Sequence, residues 1–256
     1  MPVAAGLYYF LYESSPSSNP PIVLIHGAGG SHLSWPPEFR RLVGYNVYAI
    51  DLPGHGKSDS HGEQTITAYA DQVLTWMEAL NLYRVFVIGH SMGGAIAMSI
   101  AVNAPARVVG LGLLGIGIPL EVHKDILENL SNPMMVPAAL NRLKALSFGT
   151  GVNPRLVELV SKRLAETRIS VLQGDFLACI RYNMMDVIEM IDQPVILITG
   201  AKDRIVPLRH VQLLSKKIKG TELVVIPDAG HMVMLEHPTE VVERLMKFLQ
   251  QFEFFL

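Results

Sequence analysis

Two hydrophobic rhythms alternate along this chain. Short β-branched runs read as strands buried on both faces, and longer stretches carry apolar residues at helical spacing. Ile22–Ile25 is the first clear run, closed by Gly27; Tyr45–Asp51 is the second, closed by Pro53 and Gly54. Between Thr65 and Leu80 the apolar residues Ile66, Tyr69, Val73, Trp76, Met77 and Leu80 share one helical face, and Thr65 suits the N-cap. Arg84–Gly89 is a third strand feeding a helix over Ser91–Asn103, and Arg107–Leu114 is a fourth strand. Upstream, the Tyr-rich N-terminus predicts an entry strand or hairpin, separated from Ile22 by a turn over Pro16–Pro21.

The alternation stops at Gly115. From Pro119 to Met190 only helix-like stretches appear, separated by Ser131–Pro133, by Gly149–Pro154 and by a break near Gly174. It resumes with strands over Pro194–Gly200 and Glu222–Pro227 and helices over Leu208–Ile218 and Thr239–Phe252. Strand–helix alternation implies an α/β fold with a parallel sheet covered on both faces. The expected organisation is one core domain, residues 1–117 and 191–256, interrupted by a helical cap over residues 118–190. The final Phe252–Leu256 segment is expected to dock on the surface, with an oligomer contact as the alternative.

Composition narrows the classes. Half of the 256 residues are apolar and 17% are charged, enough for a large core and too few charges for disorder. A net charge of −2 removes the electrostatic case for a nucleic-acid partner, and Lys216, Lys217 and Lys219 read as a solvated helix end. Cys179 is the only cysteine, so no intramolecular disulfide can form. The N-terminus lacks the basic residue of a secretory signal, and no apolar stretch is long enough for a membrane span, so a cytoplasmic protein is expected, monomer or homodimer.

The chemistry gathers around Gly89-His90-Ser91-Met92-Gly93. This is G-x-S-x-G between a strand and a helix, the context in which a serine sits on a sharp turn as a nucleophile. Such a serine needs a histidine base, and the base needs a carboxylate to orient it. Of nine histidines, His26 and His90 stand beside glycines at strand ends, where they brace loops; His32, His55, His61, His123 and His210 are assigned surface or structural roles. His231 follows the last strand by a short loop, at the sheet edge where Ser91 lies. Asp203, after the Pro194–Gly200 strand, shares that edge and is preferred to Asp228, which suits a turn. The oxyanion donors are expected to be the backbone amides of Met92 and of Ala28, with Gly29 as second choice to Ala28.

The segments Leu24–Trp35, Ala49–Asp59, Val87–Ala97, Ile198–Pro207 and Pro227–Pro238 together resemble the α/β-hydrolase superfamily, closest to its cap-bearing esterases and lipases. The resemblance implies a mostly parallel eight-stranded sheet, a triad of Ser91, Asp203 and His231, and no cofactor. Serine at 91 argues against the dehalogenases and epoxide hydrolases of this fold, which carry an aspartate nucleophile.

Two other motifs fail. Gly110-Leu-Gly112-Leu-Leu-Gly115 lies inside a strand and cannot cradle a dinucleotide, and Asp51–Ser58 has Asp51 where a P-loop needs its first glycine. No metal-ligand spacing is present. In the insertion, Met134, Met135, Met184, Met185 and Met190, with Phe148 and Phe176, suggest an apolar roof over Ser91 and hence a small apolar ester as partner. The expected activity is carboxylic-ester hydrolysis through an acyl-enzyme. The alternatives are C–C bond hydrolysis or perhydrolysis by the same triad, or a ligand receptor on the same fold.

Overall fold

The computed structural model describes residues 2–15, 17–59, 61–185 and 187–252. Eight strands form one sheet: β1 (Val3–Ala4), β2 (Leu7–Tyr12), β3 (Ile22–Ile25), β4 (Val47–Ile50), β5 (Val85–His90), β6 (Val108–Leu114), β7 (Val195–Gly200) and β8 (Glu222–Ile226). Their order is β1-β2-β4-β3-β5-β6-β7-β8. β1 and β2 make the entry hairpin, and β2 runs antiparallel to β4. Every pairing from β4 to β8 is parallel.

The helices are α1 (Pro37–Arg40), α2 (Ile66–Ala79), α3 (Met92–Asn103), α4 (Lys124–Leu130), α5 (Val136–Ser147), α6 (Pro154–Glu166), α7 (Ile169–Arg181), α8 (Leu208–Lys217), α9 (Val233–Glu236) and α10 (Pro238–Leu249). Alternate residues of each strand serve opposite faces of the sheet. Val23, Ile25, Val87, Leu113 and Leu197 pack with α2, α3 and α8, whereas Ile22, Leu24, Ile88, Ile196 and Ile198 pack with α1 and α10. Both faces are therefore covered. That is why the central strands read as unbroken apolar runs with no polar alternation. Thr65 caps α2 by accepting from the Ala68 amide.

Between β6 and β7 the chain forms α4 to α7, whose residues Ile126, Leu130, Ala139, Leu143, Leu146 and Leu172 make a small core of their own. One expectation fails here: α7 runs unbroken through Gly174. That glycine is a close-approach residue, since a Cβ there would lie 2.7 Å from the Glu63 carbonyl oxygen. No described helix is long and apolar enough to cross a membrane. At the C-terminus, Phe252 packs on Phe86 and Phe248. The rest of the expected surface-docked tail, 253–256, lies outside the described residues.

Register fixes what meets at the C-terminal rim of the sheet. Ile25 is level with Gly89, Leu114 with both His90 and Ile198, and Gly200 with Ile226. The loops after β3, β5, β7 and β8 therefore open side by side. The formal dinucleotide motif fails as expected, because Gly110 and Gly112 lie within β6.

Candidate active site

Ser91 stands between β5 and α3 with φ 52° and ψ −118°, a conformation uncommon for a residue with a side chain. Holding it requires bare backbone nearby. A Cβ on Gly89 would overlap the Gly93 carbonyl, and one on Gly93 would overlap the Ile25 carbonyl. The Ser91 amide donates to the Leu114 carbonyl (2.8 Å), tying the turn to β6. Ser91 caps α3 with no side-chain hydrogen bond to the helix, so its hydroxyl is not consumed by capping.

His231 Nδ1–H donates to Asp203 Oδ2 at 2.9 Å. The other carboxylate oxygen accepts the amides of Ile205 and Val206, both at 2.8 Å. The acid is thereby fixed by its own loop, and the imidazole is fixed by the acid. Asp228, the rejected rival, is exposed in the turn after β8. The His231 loop is braced from three sides. His90 Nε2–H donates to the His231 carbonyl (3.0 Å), Glu236 accepts the amides of Gly149 and Gly230, and the Met232 amide donates to the Ser147 carbonyl. A Cβ on Gly200 would overlap the Ala229 and Gly230 carbonyls, and one on Gly230 would overlap the Gly149 amide.

Burial, then the neighbouring His231, pushes the His90 pKa down to about 3. His26 is pushed down to about 4 by burial and then by His55. Both are neutral braces: His26 Nδ1–H donates to the Gly27 carbonyl (2.8 Å), while its Nε2 accepts the Leu52 amide (3.1 Å). This is the bracing role expected of them from sequence.

A cavity of about 670 Å³ lies between the rim and helices α4 to α7. Ser91 and His231 line it together with Ala28, and its roof and walls include Ile126, Leu143, Val160, Leu164 and Phe176. The methionine expectation is corrected here. Met134, Met135, Met185 and Met190 are exposed, Met184 is buried against the core, and none of the five lines the cavity. Phe148 does not line it either; branched aliphatics and Phe176 form the roof. Charged side chains also reach the cavity, among them Lys57, Arg163, Arg168, Glu121 and Glu166.

In the loop after β3, the Gly29 amide donates to Asp175 (2.8 Å) and the Gly30 amide to the Gly27 carbonyl (3.0 Å). Among the described residues, the amides of Ala28 and Met92 take part in no hydrogen bond. Gly29, the second choice as oxyanion donor, is therefore occupied, and Ala28 is open.

Sequence reasoning missed two buried His–carboxylate pairs. His32 donates to Asp51 (2.8 Å), which also accepts the amides of His32 and Lys57; despite burial, these contacts hold the Asp51 carboxyl below its ordinary range. His55 Nε2–H donates to Asp175 (2.9 Å) and its Nδ1–H to the Pro53 carbonyl (2.9 Å). Burial alone would lower the His55 pKa, but Asp175 and Pro53 more than reverse this and raise it. One signal was available. Asp175 lies on the same helical stripe as Val171, Leu172, Ala178 and Cys179, all buried, and a carboxylate on an apolar stripe must have partners.

A model of the alpha/beta hydrolase family matches residues 22–244. The chain is 28% identical over 257 residues to the dihydrolipoyllysine-residue acetyltransferase component of the acetoin cleaving system of Pseudomonas putida, covering 94% of this chain and 66% of that protein. It is 29% identical to a pimeloyl-[acyl-carrier protein] methyl ester esterase of Neisseria meningitidis, over 88% of this chain and 75% of that one. Among solved structures, a thermophilic esterase superposes with TM-score 0.83 at 28% identity, covering 96% of this chain and 99% of the other. The fold and these likenesses define an enzyme of the hydrolase class. The chain belongs to the alpha/beta hydrolase family.

Proposed function

We propose that this protein hydrolyses carboxylic esters by acyl transfer. The observation that carries the reading is His231, which is paired with the buried Asp203 and lines the same cavity as a serine on a strained turn. With Nδ1–H committed to Asp203, the imidazole is in the tautomer whose Nε2 can accept a proton. Ser91 Oγ attacks the ester carbonyl as His231 takes its proton. The developing oxyanion is held by the amides of Met92, at the positive end of α3, and of Ala28. His231 then returns the proton to the departing alcohol, and water enters by the same route to release the acid and restore Ser91. No cofactor takes part in these steps.

Leu143, Val160, Leu164 and Phe176 form the surface against which an apolar acyl or aryl group would rest. The esterase names among the relatives support ester cleavage as the reaction. Two measurements test this. A series of p-nitrophenyl esters of increasing chain length should be turned over repeatedly, and a fluorophosphonate should label Ser91 alone. Full turnover by Ser91→Ala would refute the assignment. A single turnover followed by a trapped acyl group would favour a receptor on this fold.

A further inference from the structure

Gly29 is gripped by the cap at both ends of its backbone. Its amide donates to Asp175 Oδ2 on α7, and its carbonyl accepts Thr167 Oγ1–H just before α7, both at 2.8 Å. Its φ is +64°, a left-handed conformation suited to glycine, and a Cβ there would lie 2.6 Å from Leu164 and 2.8 Å from Leu172 of the same cap. Asp175 is fully buried and itself held from the core side, accepting from Tyr69 Oη–H (2.6 Å) at Oδ1 and from His55 Nε2–H (2.9 Å) at Oδ2. A carboxylate contributed by the roof thus fixes one peptide of the loop that bears the oxyanion donor.

We propose that Asp175 is a positioning residue for the reaction: from the cap it holds the Gly29 peptide, so that the adjoining Ala28 amide stays aimed at the carbonyl attacked by Ser91. This rests on the ester-hydrolase reading above. Asp175 touches no substrate. It decides which amide of the loop is consumed and which is left free, and it does so from a segment far away in sequence. The helices over the cavity are then part of the catalytic frame as well as a cover.

The test separates this role from plain stability. Asp175→Ala removes the acceptor, and the released loop should lower kcat about 10²-fold with KM within threefold, the scale expected for a donor displaced by about 1 Å. Asp175→Asn keeps an oxygen at the Oδ2 position for Gly29 and can turn its NH2 toward Tyr69, which accepts. It should recover kcat to within tenfold of the unaltered enzyme even though the charge facing His55 is gone. A kcat within threefold in Asp175→Ala, or Asp175→Asn as slow as Asp175→Ala, would overturn the proposal.

A crystal structure of the unaltered enzyme phosphonylated at Ser91 tests the same point without a variant. The phosphonyl oxygen should sit on the Ala28 and Met92 amides with Gly29 still on Asp175; a Gly29 amide moved onto that oxygen overturns it. If the fluorophosphonate leaves Ser91 of the unaltered enzyme unlabelled, the ester-hydrolase reading itself fails, and the catalytic role of Asp175 fails with it.

Discussion

His231–Asp203 and His55–Asp175 are nearly the same pair on paper. Each is a histidine donating to a carboxylate at 2.9 Å, and each carboxylate side chain is fully buried. What separates them is the second nitrogen. His55 donates from Nδ1 to the Pro53 carbonyl, so both of its nitrogens carry hydrogen and the ring is held as a cation. His231 spends only Nδ1 on its carboxylate, and among the described residues its Nε2 has no protein partner. One pair is closed and structural, and the other is left open toward the cavity. A His–Asp distance alone would not distinguish them; the complete donor count does.

That contrast can be broken deliberately. The largest effect is expected from Ser91→Ala and His231→Gln, each lowering kcat for a p-nitrophenyl ester about 10⁶-fold. The double variant should be no slower than either single one, since the groups act as a unit; additive losses would separate them. Asp203→Asn should cost about 10⁴-fold by favouring the wrong tautomer of His231. His55→Gln should do the reverse. It leaves Asp175 without its cation, so urea unfolding should show a loss of about 3 kcal/mol, while kcat of the folded fraction stays within tenfold. A variant as inactive as His231→Gln would erase the distinction between the pairs.

The smallest effect is in pH. His26 and His90 have folded pKa values below the ordinary 6.5, at about 4 and about 3. Below pH 6.5 the unfolded chain binds protons that the folded one refuses, so stability falls with acid, by about 2 kcal/mol for each at pH 5. His55 has the opposite sign. Its raised pKa stabilises the fold fully below 6.5, and this is lost as pH rises through the folded value. Together these give a stability maximum near pH 6.5, measurable by urea unfolding at pH 5, 6.5 and 8. In His55→Gln the loss on the alkaline side should vanish and the acid side should remain.

Local pattern made much of this visible. The strand runs, the α2 face with its Thr65 cap and the G-x-S-x-G turn are each set by residues of one continuous short segment. The positions of Asp203 and His231 could be read because strand ends share one rim. The clamp on Gly29 could not, because its partners His55 and Gly29 lie 120 and 146 residues from Asp175. Gly174 misled for the same reason: it looks like a helix breaker locally and is a contact point with a distant loop. The methionines misled because composition does not say which way a helix faces.

The stacked backbones at Gly149, Gly200 and Gly230 bear on how this scaffold can be re-engineered. A single added methyl group at any of the three would drive into a neighbouring main chain, in or beside the loop that carries the imidazole. A library aimed at new esters would freeze those three codons and place its diversity overhead, at Ile126, Leu143 and Val160, which face the cavity.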